Sequence, residues 1–162
     1  MLISGNSSAA EPTVGNIVLF ALWVVLALAS ADLLFAGTYW HTLYGVPPAR
    51  TVQNIASGLL GKRAFAGGNG TVLLGAVLHY AIMAAMVAAY YVAAERIKGL
   101  VDRPWLYGTL YGVVLFVVMN LVVVPLSAMP KAPVVPSWIV SSIVVHVVIG
   151  LAIALSARRA FQ

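Results

Sequence analysis

Residues 72–91 read VLLGAVLHYAIMAAMVAAYY, a run of apolar side chains without an Asp, Glu, Lys or Arg but with one histidine, His79. A hydrocarbon layer about 30 Å thick is spanned by roughly 20 apolar residues in a helix, which is the length of this run. Three further apolar runs, at about 17–37, 106–126 and 137–156, meet the same criterion. The sequence therefore predicts four membrane-spanning helices.

The overall composition supports a membrane protein. Of the 162 residues, 62% are hydrophobic and 8% are charged, and the mean hydropathy is +1.01. Soluble domains contain about 45–50% apolar and about 25% charged residues. This difference excludes an ordinary soluble globular domain and makes the lipid bilayer the main partner.

The charged residues and the absence of cysteine narrow the function further. The net charge of +5 comes from nine basic residues that are scattered through the chain. They form no continuous basic face, so nucleic acid is not an expected partner. Because the chain contains no cysteine, disulfides and thiolate chemistry are excluded.

These patterns predict an all-α fold, an integral membrane four-helix bundle with a short interfacial helix between spans 1 and 2. The interfacial helix is predicted from VPPARTVQNIASGLLG at 46–61, where apolar residues recur at helical spacing on one face and polar residues lie on the opposite face. Pro47 and Pro48 can begin this helix and Gly61 can end it. Its expected apolar stripe consists of Val52, Ile55, Ala56 and Leu59, and its expected polar face consists of Arg50, Gln53, Asn54 and Ser57.

The predicted domain organisation has three parts. Residues 1–16 form a polar N-terminal tail, residues 17–156 a single four-span transmembrane domain, and residues 157–162 a basic C-terminal tail. An even number of spans places both termini on one side of the membrane. That side carries five basic residues and the other carries four, which by the positive-inside rule favours cytoplasmic termini. The five are Arg96, Lys98, Arg103, Arg158 and Arg159, and the four are Arg50, Lys62, Arg63 and Lys131.

Four polar residues interrupt the predicted spans: Asp32, His79, Asn120 and His146. Polar groups in hydrocarbon are costly, so they normally face the interior of a bundle. Counted from the side that carries residues 38–70, the four lie about five to nine residues deep, within roughly 6 Å of one another at 1.5 Å per residue. Each has small residues one turn away, where another helix can pack. The sequence therefore predicts a buried polar cluster of these four residues.

Three functional hypotheses follow from this cluster. In the first, the protein is non-enzymatic and the four side chains hydrogen-bond one another, which serves helix packing or assembly with a second copy or another membrane subunit. In the second, Asp32 and the imidazoles move protons or ions in a small transporter. In the third, His79 and His146 bind a metal or a haem b group, because their helices run parallel and their depths match. No catalytic residues are predicted, and no metal site beyond these histidines, since hydrolase, kinase and zinc-protease motifs are absent from the sequence.

Residues 72–150 resemble the YagU-like family of bacterial inner-membrane proteins. The resemblance lies in LHYAIMAAMVAAYYVAAE, in the glycine-containing WLYGTLYGVVLFVVMNLVVVPLSAMP, and in a final span with His146. It implies a multi-pass protein of the bacterial plasma membrane, and it supplies no established activity or catalytic residues. Members of the family can have a histidine where this chain has Asn120.

Overall fold

The computed structural model of the protein describes residues 13–131 and 133–162, so most of the predicted N-terminal tail lies outside the described residues. Within these ranges the chain is almost entirely helical and contains no strand. In chain order the helices are α1 (Val14–Tyr44), α2 (Pro48–Leu60), α3 (Gly68–Arg96), α4 (Lys98–Asp102), α5 (Pro104–Leu126) and α6 (Pro136–Phe161). A 3-10 helix, Gly61–Ala66, joins α2 to α3.

Four of these helices, α1, α3, α5 and α6, are long and apolar enough to cross a membrane. The predicted all-α four-helix fold is confirmed, and the chain is a multi-pass membrane protein. One end of the bundle carries α2 and the 3-10 helix, and the other carries α4 with the C-terminus. We refer to them as the α2 end and the α4 end.

The long helices extend beyond the predicted spans. The side-chain oxygen of Thr13 accepts a hydrogen bond from the Asn16 amide at the start of α1, and Gly45, in a left-handed conformation (φ 66°), ends that helix. Helix α6 continues to Phe161, so residues 157–161, which the sequence assigns to a tail, are helical. They are held because Ala157 and Ala160 are buried in the core at the α4 end.

Helices α5 and α6 form the most extensive contact between membrane helices. Three glycines make this approach possible: Gly108, Gly112 and Gly150, which we call the glycine seam. A Cβ atom on Gly112 would lie 2.4 Å from the His146 carbonyl oxygen, and one on Gly150 would lie 2.4 Å from the Gly108 carbonyl oxygen. No side chain fits at these distances. The seam therefore brings the two backbones together as in small-xxx-small helix pairs.

Three tyrosines link the helices near the α4 end, of which Tyr90 and Tyr91 are buried and Tyr111 is half-buried. The Tyr111 hydroxyl of α5 donates a hydrogen bond to the Met86 carbonyl of α3 at 2.7 Å. The Tyr90 hydroxyl donates to the Leu100 carbonyl of α4 at 3.1 Å, and the Tyr91 hydroxyl donates to Ser156 Oγ of α6 at 3.1 Å. Because these polar groups are satisfied inside the bundle, the tyrosines can be buried there.

Helix α2 begins at Pro48 and ends before Gly61, as predicted, but its buried face combines Ala56 of the predicted apolar stripe with two residues of the predicted polar face. Gln53 and Ser57 are buried, whereas Leu59 is 63% exposed. The Gln53 amide donates hydrogen bonds to the Gly68 carbonyl and to Thr71 Oγ1, both at 3.2 Å. Gln53 therefore satisfies polar groups at the start of α3, which hydrophobic periodicity alone does not reveal.

Helix α5 widens near its end. Residues Met119–Val123 form a π-helical turn in which the Val124 amide donates to the Met119 carbonyl. Pro125 lies two residues after the end of this turn, and in a regular α-helix its ring would clash with the carbonyl four residues earlier. The wide turn relieves this clash and places Asn120 within an irregular segment of the helix.

We expect the glycine seam to dominate the stability of the α5–α6 pair. Gly150→Ala should lower the free energy of unfolding by about 1–3 kcal/mol, the typical cost of overpacking. The atoms that would have to move are backbone atoms of Gly108 and Gly112. Gly70→Ala is the control, because no atom lies within 4 Å of a Cβ there. Equilibrium unfolding in mixed SDS micelles measures both, and equal stability of the two variants would contradict the role of the seam.

Candidate functional site

A cavity of about 390 Å³ lies between α1, α2, α3, α5 and α6 in the half of the bundle nearer the α2 end. Its walls are mostly apolar, with contributions from Leu33, Ile82, Met83 and Val145 among others. The four residues of the predicted cluster, Asp32, His79, Asn120 and His146, all line this cavity. The structure thus brings one polar residue from each membrane helix to a shared space.

Asp32 and His79 form the closest pair among the four. His79 Nε2 lies 3.7 Å from Asp32 Oδ2, which is too long for a hydrogen bond. The same nitrogen lies 3.0 Å from the Ala29 carbonyl oxygen and donates to it. Ala29 is fully buried in the middle of α1, so this bond lies inside the contact between α1 and α3. His79 therefore links α3 to the backbone of α1.

Asn120 and His146 make their hydrogen bonds within their own helices. Asn120 Nδ2 donates to the Phe116 carbonyl at 3.0 Å, and His146 Nδ1 donates to the Ser142 carbonyl at 2.7 Å. Both bonds reach one turn back, a local alternative that is always available to a polar side chain in a helix. Phe116 contacts the His146 ring edge to face, with ring centroids 5.7 Å apart. The expected hydrogen bonds among the four side chains are therefore not made in this structure.

These local bonds determine which atoms remain for a ligand. A carbonyl oxygen can only accept, so Nδ1 of His146 carries the proton and Nε2 of a neutral ring carries a lone pair. Asn120 donates one amide hydrogen to the Phe116 carbonyl and keeps its second amide hydrogen and its side-chain oxygen. Within the described ranges, Asp32 accepts no hydrogen bond, and its side chain is 26% exposed. Among the four residues of the predicted cluster, acceptor atoms thus predominate.

The cavity also includes residues that the polar pattern does not identify. Phe35, Trp40 and Trp138 line it near the α2 end, and the ring centroids of Trp40 and Trp138 lie 5.2 Å apart. Trp40 and Trp138 lie near the ends of their membrane helices, where tryptophan is typical of the aromatic belt at the membrane interface. The Tyr39 hydroxyl is 2.7 Å from Ser137 Oγ, which ties this part of α1 to α6. For Phe35 the sequence does contain a signal that it lines the cavity. Phe35 follows Asp32 by three residues and therefore lies on the same side of α1.

Helix α2 and the segment after α5 form the wall of the cavity at the α2 end. Thr51, Asn54 and Gly58 of α2 line it. The Ala128 amide donates to the Gly58 carbonyl at 2.9 Å, so the chain after α5 is fastened to α2. Towards the α4 end the cavity reaches Met86 and Ile149. Beyond them lies the packed core, which includes Val87, Tyr90 and Ile153.

Among the residues that the structure describes, no group of three or more histidine, cysteine or acidic side chains could hold a metal ion. Haem b ligation by His79 and His146 stays a prediction. Nε2 of His146 is oriented as in histidine ligands, because Nδ1 donates to a carbonyl. His79 fits less well, since ligation through its Nε2 would break the bond to Ala29.

Comparison with known proteins adds no further assignment. The chain matches no family model, no curated protein and no solved structure. The function must therefore be argued from the fold and from the cavity.

The different bonding of the two histidines predicts different effects on stability. His79→Phe should lower the free energy of unfolding by about 0.6 kcal/mol, the average for hydrogen bonds between membrane helices, and by no more than about 1.7 kcal/mol, because it removes the bond from α3 to the Ala29 carbonyl. His146→Phe should have a smaller effect, because the lost bond is internal to α6 and the new ring keeps the contact with Phe116. SDS-induced unfolding of both variants is the measurement. A larger loss in His146→Phe would contradict this assignment.

Proposed function

We propose that this protein is a non-enzymatic membrane protein that binds a small lipophilic molecule in the cavity between its membrane helices. One observation carries the proposal: a mostly apolar cavity of about 390 Å³ has polar residues from all four membrane helices on its walls. Small-molecule sites are typically cavities of about 300–1,000 Å³ in which a few polar groups orient the ligand within apolar walls.

The hydrogen bonds favour binding over a role limited to packing. Of the four polar side chains, His79 is the one whose hydrogen bond joins two helices within the described ranges. Asn120 and His146 bond to their own helices, and Asp32 accepts no hydrogen bond there. Polar groups in a membrane interior are costly, so retaining them in a cavity without helix-to-helix bonds is better explained by a ligand.

We further propose the cellular setting that the sequence predicts. The resemblance to the YagU-like family supports the bacterial inner membrane. The small excess of basic residues at the α4 end supports cytoplasmic termini. In that orientation the cavity lies in the half of the bundle nearer the outer face of the membrane. A second copy or another membrane subunit is a proposed partner.

Filling the cavity should abolish binding. Leu33 lines the cavity, whereas the neighbouring Leu34 is 72% exposed and faces outward. In phosphatidylcholine nanodiscs, we expect at least one of three naphthalene probes, 1-naphthylmethylamine, 1-naphthalenemethanol or 1-naphthoate, to bind wild-type protein saturably at one site. Leu33→Trp should weaken that binding by at least about tenfold, or about 1.4 kcal/mol, because the indole occupies the space.

Leu34→Trp is the matched control and should leave the affinity unchanged, since the added ring lies in lipid. Radioligand titration with empty nanodiscs as the blank separates binding from partition into the bilayer. If none of the three probes binds wild-type protein saturably, the proposed function is wrong. Equal loss in both Trp variants would place the probe outside the cavity.

A second candidate function, proton-linked transport, is favoured by one observation. Asp32 Oδ2 and His79 Nε2 lie 3.7 Å apart beside the cavity, and carboxylate and imidazole side chains are the usual proton carriers in membrane proteins. It requires the core around Val87, Tyr90 and Ile153 to open, because these residues stand between the cavity and the α4 end. In proteoliposomes, transport predicts uptake of a bound probe that increases when a pH gradient is imposed. Uptake equal to that of empty vesicles would exclude this function and leave binding intact.

A further inference from the structure

We propose that the cavity selects a lipophilic cation, and that the Asp32 carboxylate receives the ammonium group. This inference rests on the proposed binding function and names the chemical class of its ligand. It is supported by three independent features of the cavity: its formal charge, the kind of hydrogen-bonding atoms on its walls, and its aromatic residues.

The first feature is charge. Asp32 is the one acidic residue on the cavity wall, and no lysine or arginine lines the cavity within the described ranges. An anionic ligand would therefore bring a second negative charge to a site without a permanent positive one. Charges in a membrane interior need a partner of opposite sign. A ligand with one positive charge supplies that partner for Asp32.

The second feature is the excess of acceptors among the four cluster residues Asp32, His79, Asn120 and His146. Asp32 accepts no hydrogen bond from the described residues, because Nε2 of His79 donates to the Ala29 carbonyl. Nε2 of a neutral His146 and the side-chain oxygen of Asn120 are further acceptors. An ammonium group has several N–H donors and no acceptor, which complements this set. A carboxylate or a phosphate, which only accepts when ionised, does not.

The third feature is the aromatic wall. Phe35, Trp40 and Trp138 line the same cavity, and the Phe35 and Trp138 rings are stacked with centroids 6.4 Å apart. The faces of aromatic rings attract cations, and indole rings do so most strongly. Asp32 and Phe35 lie three residues apart on α1, so the carboxylate and the aromatic wall belong to one side of the same helix. A cation with an apolar or aromatic body satisfies both parts of the site.

The three naphthalene probes share one ring system and differ in charge, so their order of affinity tests the inference. In zwitterionic phosphatidylcholine nanodiscs at neutral pH, 1-naphthylmethylamine is protonated, and we expect it to bind at least about tenfold more tightly than 1-naphthalenemethanol. 1-Naphthoate should bind most weakly. Each affinity is measured by titration against empty nanodiscs, which corrects for membrane partition.

Asp32→Asn should remove the preference for the amine and leave the alcohol bound with similar affinity. Glu95→Gln is the control, because Glu95 is exposed near the α4 end, and this variant should keep the preference. Binding of the alcohol or the naphthoate as tightly as the amine in wild-type protein would overturn the inference while supporting the proposed function. Failure of all three probes to bind would overturn both. If Asp32→Asn does not fold, the order of the wild-type affinities decides alone.

Discussion

The contact between α5 and α6 is the constraint on which the rest of the structure depends. In lipid there is little hydrophobic drive to bring helices together, so close packing of backbones has to supply the attraction. The glycine seam provides this packing, because a Cβ atom at Gly112 or Gly150 would overlap backbone atoms of the opposite helix. With these two helices in contact, the positions of Asn120 and His146 relative to each other are fixed.

The cavity is a consequence of unequal helix packing. Helices α5 and α6 are in intimate contact, whereas α5 and α3 contact each other far less and are joined near the α4 end through Tyr111 and the Met86 carbonyl. Towards the α2 end, the space between α3 and α5 is left to side chains that do not fill it. Helix α2 covers this space by packing on α3, where the Val52 carbonyl approaches Gly75 too closely for any side chain at that position.

The four membrane helices could be predicted from the sequence because bilayer thickness fixes the length of an apolar run. Their ends could not, since the extension of α6 depends on burial of Ala157 and Ala160 against other helices. Similarly, the beginning and end of α2 follow from Pro48 and Gly61, but its buried side depends on the Gly68 carbonyl and the Thr71 hydroxyl at the start of α3, which accept hydrogen bonds from Gln53. Periodicity describes one helix and contains no information about its neighbours.

For the candidate site, counting residues from one membrane face predicted a common depth for Asp32, His79, Asn120 and His146, and all four line one cavity. Their hydrogen-bond partners could not be predicted in this way. Asn120 and His146 bond one turn back along their own helices, a choice decided by rotamers and not by depth. The cavity itself depends on distances between helices that leave no pattern in the sequence.

The π turn in α5 has a consequence for how that helix tolerates insertions and deletions. Each residue of a regular α-helix turns the chain by about 100°. The wide turn Met119–Val123 lies between the glycine seam and Val124. The side chains before it and after it therefore do not follow one continuous helical spacing. Losing or gaining one residue inside the wide turn would rotate the last part of the helix while the glycines stay in register with α6. Such an insertion or deletion would change one wall of the cavity and leave the packing of α5 against α6 intact.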